Sequence, residues 1–237
     1  MLEILIQLAT LASALLVVIF TTLSGLWVYF RQKEYELVRQ RYLEDGLDVL
    51  IHHVETALNI FQYNFTHSLL VLKTFRDLGA DMPTRLYDTG FQDLDKVTMV
   101  PTRNYLLEQL IGDNICYKIH QLMMVFVHDA NNFFMNDLCS MLRIKINGGK
   151  EIGVKATREE IVEIYMKHCV EYEKKAHRFW ILLGNLQNIA FAFEKEKFTF
   201  KKIGSFRNNA SVQESISVLK EQFAADINHD GIHAPTG

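Results

Sequence analysis

The chain carries none of the short patterns that mark a nucleotide-binding or hydrolase site. It has no G-x-x-x-x-G-K-[ST], no G-x-G-x-x-G and no G-x-S-x-G, so neither a phosphate cradle nor a nucleophile elbow is written into it. It also lacks any Glu-x-x-His, which removes the di-iron carboxylate chemistry that helical bundles can host. Three prolines and 12 glycines in 237 residues leave little room for low-complexity linkers, and no repeat at a solenoid period is present. The three cysteines, Cys116, Cys139 and Cys169, are far apart and odd in number. That pattern fits reduced thiols better than a disulfide framework. Basic and acidic residues number 25 and 28, for a net charge of −3. No broad positive surface for nucleic acid is expected from that balance, and no cofactor is implied.

The most informative absence is local. Residues 9–30 contain no charged side chain. A bilayer core takes about 20 apolar residues of α-helix, so this stretch is long enough to span one. A signal peptide would carry positive charge before a shorter apolar run and a small-residue cleavage site after it. Here the only charge before the run is Glu3, and the run closes on Trp27, Tyr29 and Phe30, aromatics suited to the headgroup level. Arg31, Lys33, Arg39 and Arg41 follow the span and no basic residue precedes it. The positive-inside rule therefore places the N-terminus outside and the C-terminal domain in the cytoplasm. Thr21 and Gly25 make a small-xxx-small pair, a weak hint that two anchors approach.

Beyond the anchor, helical periodicity dominates. Ile51, Val54, Leu58, Phe61, Phe65, Ser68, Leu72 and Phe75 recur at alternating spacings of three and four, which puts them on one face of a helix. Gly79 is placed to end that helix. Residues 80–101 form the longest irregular stretch, with a short helical turn expected at 92–96. Thr102 or Asn104 is placed to cap a second long helix reaching about Leu142. Its stripe runs Leu107, Ile111, Ile115, Ile119, Leu122, Phe126, Ala130, Phe133, and residues 122–127 are apolar all round. The middle of that helix is therefore expected to be central and buried. Residues 144–154 alternate apolar and polar around Asn147 and Gly148, the pattern of a small β-hairpin. Thr157 and Glu160 form a capping box opening a third long helix to about Lys197. Its stripe is Ile161, Tyr165, His168, Tyr172, Phe179, Leu182, Leu186, Ile189 and Phe193. Ser211 and Glu214 form a further capping box for a short last helix.

The fold expected from these patterns is all-α: one transmembrane helix followed by an antiparallel bundle of long helices with one small β-hairpin. The anchor occupies 1–31, the bundle 32–227 and a mobile tail 228–237. A coiled-coil seam between two copies is the rival use of the first stripe, though its phenylalanines suit a bundle better.

Two sets of residues have metal-ligand chemistry. Cys116, His120, Met124 and His128 recur every four residues. That spacing drifts by about 40° per step on a helix, so at most adjacent members such as Cys116 and His120 could share an ion. Core packing is the ordinary use of such residues. Asp226, Asn228, Asp230 and Gly231 match the first half of a calcium loop. Position twelve, however, is Gly237 rather than a bidentate glutamate. His52 and His53 lie near Asp48 and Glu55 on a polar helix face. The reading is a non-enzymatic, single-pass membrane protein. Its bundle would serve as a scaffold, sensor or membrane-complex subunit through contacts with a protein partner or with copies of itself. A membrane-perturbing or pore-forming effector is the first alternative, and a metal-dependent enzyme or sensor using bundle histidines is the second.

Overall fold

The computed structural model describes residues 2–88, 90–94, 104–112, 114–146, 157–196, 206 and 208–229. It is predominantly helical, and no strand occurs among the described residues. The molecule is built on one rod. Helix α1 (Leu2–Arg39) passes through a π-helical segment (Gln40–Leu47) into α2 (Asp48–Leu78) without a break. At 1.5 Å per residue the rod is roughly 115 Å long. Its lower part stands free. The apolar window within it has a mean hydropathy of 2.1 and none of it is buried, and Phe20 is 73% exposed. Burial begins at Val38.

The π-helical segment has a packing reason. An extra residue in a helical turn advances the buried face. Val38, Tyr42, Leu43, Gly46, Leu47 and Leu50 can therefore all turn inward. Gly46 sits where α4 crosses: a Cβ there would lie 3.0 Å from Asn104 Nδ2. Along α2 the expected stripe is the buried one. Val54, Leu58, Phe61, Phe65, Ser68, Leu72 and Phe75 are all buried, and Ile51 is half-buried. Gly79 ends α2 with φ +58, a conformation that glycine adopts without steric cost.

The chain then turns back. After a short helix, α3 (Arg85–Asp88), residues 90–94 run along α2 as a strap, and Asn104 caps α4 (Tyr105–Leu110), its Oδ1 accepting from Leu107 N at 3.0 Å. Within the helical turn expected at 92–96, Leu94 begins a 3-10 turn, and residues 95 and 96 lie outside the described set. The single long helix expected from Asn104 to Leu142 is broken, because Gly112 at φ +140 and Asn114 at φ +68 cannot continue it. Helix α5 (Ile115–Asn131) starts afresh and passes through a second π-helical segment (Asn132–Leu138) into α6 (Cys139–Ile146). Its middle is not buried all round: Met123, Phe126 and Val127 face inward, while Met124 and Val125 are exposed.

The expected β-hairpin is a further correction. Residues 144–146 belong to α6, which continues the helix that buries Leu138 and Leu142. A three-residue alternation does not outweigh that continuity. Residues 147–156 lie outside the described set. The Thr157–Glu160 capping box is formed: Thr157 N donates to Glu160 Oε2 at 2.7 Å and Glu160 N to Thr157 Oγ1 at 3.2 Å. It opens α7 (Arg158–Glu196). The last helix, α8 (Ala210–His229), is capped by Asn209 Oδ1, which accepts from Ser211 N at 3.1 Å and Ser211 Oγ at 2.8 Å. The capping residue is therefore Asn209, two positions ahead of the expected Ser211.

Contacts fix the directions. Tyr42 meets Phe193 and Ser68 meets Cys169, so α7 runs antiparallel to α2. Tyr165 reaches Asp137 O and Tyr172 reaches Asp129 O, so α7 is also antiparallel to α5–α6. Helices α2 and α5 are therefore parallel, which the returning strap makes feasible. Gln222 on α8 donates to Arg178 O on α7 at 2.8 Å. At the centre Phe61 packs on Phe126 at 5.2 Å and Phe134 at 5.7 Å, and Phe126 packs on Phe179 at 4.8 Å. Ring pairs at such separations add to the ordinary burial of apolar area.

Candidate functional site

Of the sequence candidates on α5, Cys116 is buried, His120 is half-buried, and Met124 and His128 are exposed. Cys116 is buried and its thiol lies 3.9 Å from Asn104 O. Burial, with a smaller contribution from the Glu108 carboxylate, pushes it up to about 11. His120 is half-buried on the next turn. The structure brings it near enough to His53 on α2 to help lower that ring's pKa. That cross-helix proximity was invisible in the sequence, where the two histidines belong to separate groups. Asp48 feels the carboxylates of Glu194 and Glu44 and the guanidinium of Arg39. Burial first, then Glu194, holds its carboxyl above the usual value, with Arg39 opposing.

Asp226 and Asn228 lie within the helical backbone of α8, and Asp230 lies outside the described residues. A calcium loop needs its first ligands on a turning backbone, whereas α8 remains helical through His229. Among the described residues no group of three or more His, Cys, Asp or Glu side chains could hold a metal ion.

The histidine pair gives a pH dependence. Burial, then His52 and His120, hold the His53 imidazole below its ordinary value of 6.5. The folded ring is thus still neutral where the unfolded chain has begun to bind a proton. Stability is full above the ordinary value and is lost as pH falls toward the lowered folded value. Between about pH 7 and pH 5.5 the thermal midpoint should therefore fall more steeply for the wild type than for His53→Gln. Parallel profiles would show that His53 does not carry the effect. The raised carboxyl of Asp48 acts in the opposite sense, since it destabilises the fold at higher pH and is relieved as pH falls through its folded value.

Two open depressions mark the surface. One, of about 670 Å³, lies between α7 and α8 and is lined by Asn185, Asn188, Asn209, Ser211 and Ser215. The other, of about 450 Å³, lies between α5–α6 and α7 beside Asn136, Asp137, Ser140 and His168. Beside it three rings are stacked: Phe133 lies between Tyr165 at 5.9 Å and Tyr172 at 5.0 Å. His168 on its rim is paired with Glu171 at 3.6 Å. Both are suited to hydrogen bonding.

The most elaborate polar construction holds the strap. Asn64 is fully buried on α2. Its Nδ2 donates to Gln92 O at 2.7 Å, and its Oδ1 accepts from Gln92 N at 2.8 Å. Asn131, on α5, accepts from Leu94 N at 3.2 Å. His67 Nε2 bonds Leu86 O at 2.6 Å. The His67 ring stacks on Tyr63 at 6.1 Å and meets the edge of Phe91 at 4.8 Å. A Cβ on Gly90 would collide with that ring, so only glycine allows the strap so close. Neither the buried asparagines nor this route showed in the sequence, because a side chain that bonds main chain leaves no pattern.

No protein-family model, no curated protein and no solved structure matches the chain, so its own residues alone bear on its function.

Proposed function

We propose that the protein is a single-pass membrane protein whose helical bundle acts through contacts with other proteins, as a scaffold, sensor or membrane-complex subunit. One observation carries the reading. The apolar half of the rod is wholly unburied by its own chain, yet it continues as unbroken helix into the bundle core. A soluble protein has no reason to project such a helix into water, because every apolar side chain on it opposes solution.

The chemistry of the span supports insertion. Its hydroxyls bond their own helix: Thr10 donates to Ile6 O, Thr21 to Val17 O and Thr22 to Val18 O. These hydroxyls are thereby satisfied within the helix rather than facing hydrocarbon unpaired. At the end of the span Arg31 lies over Trp27 at 5.4 Å and Lys33 over Tyr29 at 5.6 Å, an arrangement that holds cations at the headgroup level. The first basic residues all follow the span, which supports an outside N-terminus and a cytoplasmic bundle. The buried thiols are at ease in a reducing compartment. Exposed Tyr117, Met124 and Val125 on α5 and Trp180, Ile181 and Phe191 on α7 offer apolar area for protein contacts.

A reporter fused after Gly237 tests the placement. It should be active only on the cytoplasmic side. Deleting residues 1–31 should release a folded, helical protein from the membrane fraction. Reporter activity on the far side would overturn the orientation, and a deletion variant that stays in the membrane would overturn the anchor.

A further inference from the structure

The depression between α7 and α8 holds polar groups that the fold itself does not use. Ser215 lines it and is only 2% exposed, yet its hydroxyl has no hydrogen-bond partner among the described residues. A hydroxyl withdrawn from bulk water is costly unless a partner meets it, and here the partner has to come from within the depression. Lys195 on α7 and Glu214 on α8 also line it. Both are exposed, and neither forms an ion pair with the other or with any described residue. The two charges are separated along the cleft. Gln222 meets Arg178, and Phe206, just ahead of α8, meets Phe193, so α8 runs antiparallel to α7. Lys195 therefore lies beside the N-terminal end of α8, where Asn209 and Ser211 line the wall, and Glu214 lies a turn further along. A helix N-terminus attracts anions, phosphate among them. The cleft thus has a positive end and a negative end that leave each other unpaired, which is complementary to a ligand carrying both signs. Its volume of about 670 Å³ suits a small molecule.

We infer that this cleft binds a small zwitterion that joins a phosphate to an amine. The phosphate lies at the N-terminus of α8, with the Lys195 ammonium beside it and the Ser215 hydroxyl donating to it. The amine is held by the Glu214 carboxylate. Asn185, whose Nδ2 donates to Ile181 O at 2.8 Å, keeps its Oδ1 as a further acceptor on the same wall. Such a group occurs both on phospholipid headgroups and on free phosphoamines. Glu194, next to Lys195, pairs with Arg39 at 3.6 Å, and Arg39 stands nine residues past Phe30, about 14 Å along the rod. The positive end of the cleft therefore opens on the side of the bundle that faces the bilayer, within reach of either source. The inference goes beyond the protein-contact reading above; only the lipid source rests on the membrane placement.

The test is isothermal titration calorimetry of the full chain in dodecyl maltoside micelles, which contain no phosphate, with O-phosphoethanolamine as the probe. Binding should be saturable, and inorganic phosphate and ethanolamine should each bind more weakly. Lys195→Gln and Ser215→Ala should each weaken the probe about tenfold, as expected for losing one hydrogen bond to a charged group. Glu214→Gln should weaken the probe by a similar factor and leave inorganic phosphate unchanged, a split that a merely structural role would not produce. No saturable binding of the probe overturns the inference, as does wild-type binding in the Lys195 and Glu214 variants. Equal binding of inorganic phosphate would remove the zwitterion, and glycine binding as tightly as the probe would make the anionic group a carboxylate; both overturn the class proposed. Should Ser215→Ala lose helical signal, the two exposed charge variants decide. Doping the micelles with phosphatidylethanolamine distinguishes the sources: loss of probe binding makes the lipid headgroup the ligand, and unchanged binding makes it a free phosphoamine. None of these outcomes moves the reporter at Gly237, so failure of the cleft is distinct from failure of the anchor.

Discussion

Phe61→Ala should lower the unfolding free energy by about 3–5 kcal/mol, the range for emptying a buried aromatic site. Phe61 is fully buried and touches rings from three places: Phe65 on its own helix, Phe126 on α5 and Phe134 in the second π-helical segment. Phe126 passes the contact to Phe179 on α7. Removing the hub leaves a cavity whose walls belong to three separate helical segments, so collapse around it is limited. Denaturant unfolding of residues 32–237 measures the loss as a shift of midpoint at constant slope. The loss should be the same at two protein concentrations, because Phe61 is covered by its own chain. A concentration-dependent loss would mean that the stripe is a seam between copies.

The second large effect is at Ser68. It is fully buried, donates to Phe65 O at 2.7 Å and lies 3.3 Å from Cys169 Sγ. Ala176, also buried, follows Cys169 two turns along α7. Small residues on both sides let α2 and α7 approach closely here. Leucine would fit the stripe's hydrophobic pattern, yet it has no room. Ser68→Leu should therefore destabilise by about 1–3 kcal/mol, the usual cost of overpacking, and differential scanning calorimetry would report it as a lower midpoint. A stabilised variant would mean that the seam is loosely packed.

The same seam shows what periodicity can and cannot convey. The α2 stripe was legible because large apolar residues occupy nearly every inward position. On α7 the expected stripe is displaced in the middle. Tyr165 and Tyr172 are only half-buried and His168 is exposed, while Cys169 and Ala176 face the core. Small residues give little hydrophobic signal, and the aromatic residues beside them outweigh it on paper. The break before α5 had a signal in Gly112, Asp113 and Asn114, but the apolar spacing on either side masked it. The two π-helical segments have no sequence signature, since only tertiary packing selects the extra residue. The strap site depends on Asn64 and Asn131 meeting main chain from 28 and 37 residues away, a relation that no local pattern records.

One measurement tests most directly whether a single chain makes this bundle. Ser68→Cys places a second sulfur beside Cys169 on the adjacent, antiparallel helix. Mild oxidation of isolated membranes carrying this variant should produce an intrachain disulfide, seen as a faster-migrating monomer that dithiothreitol restores. The geometry requires Cα atoms within about 7 Å of each other, a condition that only the α2–α7 register described above satisfies for this pair. An oxidised dimer would place the two helices in different chains, and the absence of any cross-link would separate them altogether; either result contradicts the bundle.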